Sequence, residues 1–352
     1  GAAAFLLAEN LQASYIDVML AALIPSLLYY FSVFVFADLE AGRLKISRVA
    51  EEKIPPMGRI LRKGWFVFMP FMVLLLGLFS FNLRPETAAL AAVLVLLALS
   101  LVQTYDGSRV TFQVLIGVLV SAGRAAVEII LICAIAGMII GLVARSGLSF
   151  GLGFFLVQLG QSSLILLLIV TALVCIVMGM GLPTVGVYLL LASLAAPPLV
   201  ELGLQPMAAH MFVLYFGMLS MLTPPVAIAA FVAANMAKAP TMATAVEAVR
   251  IAWPAYLIPF FFAASPALLF YGSGGIIAVT VAKSLMGVYA ITGGIVGFMG
   301  RNLPVPERIL VISVGLAILC PLEAFSSAIW LNGIGLAVLL GFFVLQKMRR
   351  TG

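Results

Sequence analysis

Residues 146–200 contain no Lys, Arg, Asp or Glu. Drawn as one helix, this stretch would be about 80 Å long, whereas bilayer hydrocarbon is about 30 Å thick. The chain must therefore turn more than once there, and charge does not mark the turns. From Ser146 to Ala237 the only fully charged residue is Glu201. Turns at membrane depth leave backbone N–H and C=O groups that lipid cannot satisfy, so they persist only where protein covers them or a wet cavity bathes them. Such a pattern predicts re-entrant hairpins and broken helices rather than plain spans.

The composition agrees on the solvent. The chain is 64% apolar and 9% charged, against about 25% charged residues in a soluble domain. An all-α integral membrane protein is expected, with the lipid bilayer as its first partner. The net charge of +6 does not point to nucleic acid, because Lys and Arg sit at the ends of apolar segments, as topology signals do. Residues 37–64 hold seven Lys/Arg against four acids, which makes that loop cytoplasmic. Lys347, Arg349 and Arg350 give the same sign at the other end. Cys133, Cys175 and Cys320 lie singly in apolar runs and read as small buried residues. The single His210 has no His or Cys at ligand spacing, so neither a metal centre nor a cofactor is expected.

Apolar segments predict spans at 14–36 (with Pro25 inside), 65–82, 87–103, 125–144, 244–271, 276–299 and 308–330, and a last one at 334–346. Asn82 to Glu86 and Asp106-Gly107 read as turns. Residues 109–123 fit either an interfacial helix or an extension of the next span. Four regions follow: 1–36 as the end of a first repeat, 37–123 as cytoplasmic loop and scaffold or arm helices, 124–271 as a second repeat with the hairpins, and 272–352 as additional C-terminal helices. The Gly1-Ala2-Ala3-Ala4 opening predicts a chain that starts part-way through a longer protein.

Three breaks can be placed in the middle: Met178 to Thr184, Ala196-Pro197-Pro198, and Ser220 to Pro225. An unwound stretch offers carbonyl oxygens to a cation, and the half-helix after it offers N–H groups to an anion. Gly179 and Gly181 permit backbone angles that other residues resist. Pro183, Pro224 and Pro225 lack an N–H, so breaking the ladder costs less there. Thr184, Ser220 and Thr223 add hydroxyl oxygens. No carboxylate lies in either the first or the third break, which favours a monovalent ion such as Na⁺, held around Gly179, Thr184, Ser220 and Thr223, over Ca²⁺ or Mg²⁺. Glu201 and His210 read either as a proton site or, for Glu201, as part of a short aqueous loop from Glu201 to Pro206.

An internal repeat is also visible. GAAAFLLA (1–8) and AIAAFVAA (227–234) agree at Ala3/Ala229, Ala4/Ala230, Phe5/Phe231 and Ala8/Ala234. Each is followed by a polar break and an apolar helix with an early proline, Pro25 or Pro254. The first of those helices ends at the basic 37–64 loop, and the second begins near Lys238 and Arg250. The copies would then run in opposite directions, as in the inverted repeats of secondary transporters.

The blocks GMGLPTVGVYLLLASLAAPPLVELGL (179–204) and AAHMFVLYFGMLSMLTPPVAIAAFVAAN (208–235) resemble the second half of the large membrane subunit of TRAP transporters, the tripartite ATP-independent uptake systems. The Gly-Leu-Pro-Thr opening and the extra C-terminal helices resemble the fused permeases that work with TAXI-type binding proteins. GAAAFLLAE resembles the segment just after the Pro-Pro break of the family's first hairpin. The resemblance covers nearly the whole chain and is weakest after about residue 300. It implies an elevator-type transporter, in which a mobile domain with two hairpins slides against a scaffold. It also implies a periplasmic TAXI-type binding protein, an organic anion such as a carboxylate as substrate, Na⁺ or H⁺ as coupling ion, and the bacterial inner membrane as location. By motif position, the site would be Gly179, Gly181, Pro183, Thr184, Ser220, Thr223, Pro224 and Pro225. The uncharged GMGLPT departs from dicarboxylate relatives, which carry an Asp there, and leaves the ion open. Two other classes compete. A channel or pore would need a continuous polar lining, and an intramembrane enzyme would need Ser, His or Asp groups matched inside spans.

Overall fold

Satisfying every backbone group in lipid leaves helices as the economical choice, and the chain takes it. A computed structural model describes residues 2–47, 56–81, 83–102, 111–322 and 327–351. Among these there are helices and turns and no strand. In chain order they are α1 (Ala2–Leu11), α2 (Tyr15–Leu44), α3 (Met57–Phe79), α4 (Pro85–Val102), α5 (Phe112–Ser146), α6 (Leu148–Ser162), α7 (Leu164–Gly179) and α8 (Thr184–Leu194). Next come α9 (Ala196–Glu201), α10 (Pro206–Leu219), α11 (Ile228–Ala237), α12 (Thr241–Ile251) and α13 (Trp253–Ala264). After a 3₁₀ turn (Pro266–Leu269) follow α14 (Gly274–Val296), α15 (Val305–Leu319) and α16 (Ala328–Thr351). Tyr15–Leu44, Thr241–Ala264 and Gly274–Val296 are long and apolar enough to cross a bilayer.

The described helices group into two compact units. One, drawn from residues 14–16 and 47–134, contains α3 and α4, which pack where Gly77 meets Ala88. The other, drawn from residues 1–13, 17–46 and 135–352, contains both glycine/proline breaks.

Residues 146–200 turn as their lack of charge requires, at Gly147 (φ +74°), at Ser163, between α7 and α8, and at Ala195. Of the 109–123 stretch, the described residues from Phe112 on resolve in favour of extension, since α5 is one helix of 35 residues from there.

Several expected boundaries are corrected. The first span does not stop at 36: α2 continues to Leu44, and an Arg43–Glu40 ion pair one turn apart supports its polar end. The span expected at 65–82 begins earlier, at Met57. Ala196-Pro197-Pro198 is no unwound break, because both prolines occupy the first turn of α9, where a missing N–H costs nothing. The 244–271 span is two helices that meet at Ala252 just before Pro254, and it ends at Ala264. The 308–330 helix is also two, because Pro321 pushes Cys320 out of the helical region (ψ 126°) and α16 starts only at Ala328. Arg48, Lys53, Asn82 and the Asp106-Gly107 turn lie outside the described residues.

The repeat extends beyond the four matched side chains. α1 and α11 begin at 2 and 228, reach a left-handed residue at Gln12 (φ 49°) and Lys238 (φ 52°), and give way to α2 and α12 at 15 and 241. Each pair is separated by the same 226 positions. The caps match bond for bond. Gln12 N–H donates to Glu9 C=O and Ala13 N–H to Ala8 C=O; Lys238 N–H donates to Asn235 C=O and Ala239 N–H to Ala234 C=O. Both are Schellman caps built on a residue other than glycine.

α14 and α15 approach closely through glycine. A Cβ on Gly315 would lie 2.8 Å from the Gly287 carbonyl, and one on Gly287 would lie 3.0 Å from the Gly315 carbonyl. In lipid, close backbone approach takes the place of hydrophobic burial as the cause of helix pairing. Overpacking of this kind costs about 1–3 kcal/mol. Gly315→Ala is expected to lower the thermal unfolding midpoint of the detergent-purified protein. Gly341→Ala, where a Cβ meets nothing within 4 Å, should leave it unchanged or raise it.

Candidate functional site

The two glycine/proline breaks lie side by side. α7 ends at Gly179 and α10 ends at Leu219, and these two ends touch. A Cβ on Gly179 would sit 2.6 Å from the Gly217 carbonyl and 2.9 Å from the Ser220 hydroxyl. Only glycine fits there. Gly217 in turn lies against Val187 and Leu191 of α8, and its own Cβ would come within 2.5 and 2.7 Å of them. α7, α8 and α10 thus form one packed group with both breaks at the same end of α7 and α10.

The first break is a short turn. Leu182 N–H donates to Gly179 C=O, Gly181 adopts φ +78°, and Pro183 is extended (φ −72°, ψ 155°). A Cβ on Gly181 would meet nothing within 4 Å, so its glycine answers to backbone angle and not to crowding. Thr184 opens α8, and the N–H groups of the first turn have no acceptor inside that helix.

The second break is longer and tied down by hydroxyls. Ser220 is 1% exposed, and its Oγ donates to Gly217 C=O at 2.7 Å. Thr223 Oγ1 donates to Leu219 C=O at 2.6 Å. The Tyr256 hydroxyl from α13 lies 2.7 Å from the same Thr223 oxygen. With the threonine proton committed to Leu219, Tyr256 is left as the donor. One lone pair of the Thr223 oxygen then remains for a further partner. The Pro224-Pro225 peptide is cis. Ala227 is left-handed (φ 33°), and Ala229 N–H reaches back to Met221 C=O.

Gly179 and Ser220 are therefore in contact, and Gly181, Pro183 and Thr184 follow on the turn leading out of Gly179. Thr223, Pro224 and Pro225 follow Ser220 on the other side. The turn after Gly179 and the segment after Ser220 hold no Asp or Glu, and no group of three or more His, Cys, Asp or Glu side chains occurs among the described residues.

Glu201 and His210 do not form a pair. Glu201 ends α9 and lines a groove of about 240 Å³ with Ser193, Pro197, Pro198, Phe150 and Phe154. Within the Glu201–Pro206 segment, residues 202–205 form the loop between α9 and α10, with Gly203 at φ +97°. His210 Nδ1 is hydrogen-bonded to the Tyr188 hydroxyl at 2.9 Å, with roles set by the tautomer. A polar junction of Tyr188 and His210 thus links α8 and α10. Sequence reasoning missed both this junction and Tyr256. A tyrosine on an apolar helix gives no sign of which break it serves, and Tyr256 is 33 positions from Thr223.

The family profile described as "Tripartite ATP-independent periplasmic transporter, DctM component" matches residues 1–274. No curated protein and no solved structure matches the chain. The match takes in both breaks, both halves of the repeat and every helix up to the start of α14. The chain therefore belongs to the DctM family, the large membrane component of the tripartite ATP-independent transporters that work with a periplasmic binding protein.

Proposed function

We propose that this permease imports an organic anion, a carboxylate by class, coupled to an inward Na⁺ or H⁺ gradient across the bacterial inner membrane. Its partner would be a binding protein of the TAXI type. The observation that carries this reading is the meeting of two uncharged breaks at Gly179 and Ser220. Together they offer hydroxyl and carbonyl oxygens from two chain segments next to the free N–H groups that open α8. Neutral oxygens suit a monovalent cation, and a helix N-terminus suits a carboxylate.

In this proposal Gly179, Thr184, Ser220 and Thr223 supply the cation's surroundings. Gly181, Pro183, Pro224 and Pro225 shape the backbone that presents them. The body carrying the breaks would shift across the bilayer as a whole, since packing as close as that at Gly179 does not deform continuously. The copies of the internal repeat would run in opposite directions, so that the body presents similar faces to the two sides.

The full-length permease, reconstituted in liposomes with its binding protein, would be assayed with radiolabelled succinate, pyruvate and glutamate under imposed gradients. Uptake that follows the Na⁺ or the proton gradient is the expected result. Uptake that persists unchanged after both gradients are collapsed would rule out the coupling.

Thr223→Val removes the oxygen offered to the cation. It should raise the cation concentration for half-maximal uptake about tenfold or more, while the protein remains monodisperse. An unchanged cation response would remove Thr223 from the site. Tyr256→Phe deletes only the donor that orients Thr223. A smaller shift in the same direction is expected, with maximal uptake retained at saturating cation. Gly179→Ala forces α7 and α10 apart and should reduce uptake under every gradient.

A further inference from the structure

The described residues beyond the family match form three helices, and their attachments are specific. α14 begins at Gly274, where the match ends. From there α14, α15 and α16 build a hard-packed module. Glycines bring α14 and α15 together at Gly287 and Gly315. Lys283, 7% exposed, donates to Cys320 C=O at 2.6 Å and to the Asn332 side-chain oxygen at 3.0 Å. Asn332 donates in turn to carbonyls at Ala317, Cys320 and Ala328, and so ties α15 to α16 across their break.

This module is fastened to α2 and to α12 and α13, the helices that follow the repeated half-helices. Thr292 of α14 is fully buried. Its hydroxyl oxygen lies 3.0 Å from Ser32 Oγ of α2 and accepts from Trp253 Nε1 of α13 at 3.2 Å. One hydroxyl thus bridges α2, the helix after the first copy of the repeat, and α13, the second helix after the other copy. At the end of α14, Arg250 of α12 and Arg308 of α15 both donate to the Ile295 carbonyl, at 3.1 and 3.0 Å. These carbonyls form the negative end of the helix, where a guanidinium is favourable. Phe298 closes over Gly42 of α2, where a Cβ would come within 2.9 Å of its ring. Every one of these residues belongs to the unit that contains the two breaks.

We propose that α14–α16 brace the body that carries the site, holding α2 and α12–α13 in fixed register, and travel with it during transport. This inference rests on the moving-body reading above. A module joined to that body by buried hydrogen bonds at Thr292 cannot stay behind without breaking them in each cycle.

The test joins α2 to α14 covalently. In the full-length permease with Cys133, Cys175 and Cys320 replaced, Ser32→Cys and Thr292→Cys are introduced together and oxidised with copper phenanthroline. Uptake of radiolabelled succinate, pyruvate and glutamate is measured in liposomes with the binding protein, before oxidation, after it, and after reduction. Retention of more than half of the uptake in the oxidised state is expected. A tenfold or greater loss on oxidation that reverses on reduction would overturn the proposal. The reduced protein serves as its own folding control. If that pair gives no uptake even when reduced, Gly42→Cys with Phe298→Cys, joined by a short bifunctional thiol reagent, is read by the same criteria. The moving-body reading is tested without any cross-link. Met236→Cys on α11, where Met236 is 82% exposed, is labelled with a membrane-impermeant maleimide from either side under opposite gradients. A change in sidedness supports that reading. Labelling from one side only, with transport intact, would overturn it independently of the brace.

Discussion

A backbone break inside a bilayer must find partners for its own N–H and C=O groups, and the architecture around both breaks follows from that requirement. Each unsatisfied group in hydrocarbon costs several kcal/mol. Here the second break meets the requirement with side chains close by in sequence. Ser220 and Thr223 turn their hydroxyls back onto carbonyls three and four residues earlier. The first break meets it by being short, with glycine where a left-handed angle is needed and proline where an N–H would be orphaned. Neither solution uses charge. That keeps the region stable in lipid and also leaves its oxygens neutral.

Close packing then brings the two breaks together. Gly179 could sit at the end of a solitary half-helix with any small neighbour, but against Gly217 and Ser220 only a hydrogen side chain fits. The same glycine that lets α7 end also sets its distance from α10. Gly217 repeats the device against α8. Association of helices in lipid draws little from the hydrophobic effect, so contacts of this kind, together with cross-helix hydrogen bonds of about 0.6 kcal/mol each, supply the order. Thr223–Tyr256 and Ser32–Thr292–Trp253 are such bonds, and they tie α13 first to a break and then to the C-terminal module.

The legibility of these features in sequence divides along physical lines. The breaks were readable because charge depletion over 55 residues (146–200) is incompatible with straight spans, and because Gly and Pro act locally. The repeat was readable at Ala3, Ala4, Phe5 and Ala8, and its shared caps at Gln12 and Lys238 show how far the similarity in backbone reaches beyond those side chains. Helix ends were read poorly wherever charge was taken as a stop. Glu40 and Arg43 support another turn of α2 instead of ending it. Proline was read too strongly at Pro197 and Pro198, where it starts a helix, and too weakly at Pro321, where it ends one. The partner of Thr223 was not legible at all. Tyr256 reaches it through a tertiary contact that leaves no spacing signal.

The absence of carboxylates in the breaks would have a consequence for the proposed coupling. A carboxylate at a cation site contributes attraction that grows as the dielectric falls, but it must be desolvated whenever the site is empty. A site of hydroxyl and carbonyl oxygens carries a smaller penalty when empty and binds its ion more weakly. In the proposed site, binding would depend on all of the oxygens being in place at once, and these would come from two different breaks. Occupancy by the cation would favour the conformation in which Gly179 and Ser220 are in contact, and loss of the cation would remove that bias. In the proposed arrangement selectivity and coupling would have the same origin, namely how closely two uncharged turns are held together by the helices behind them.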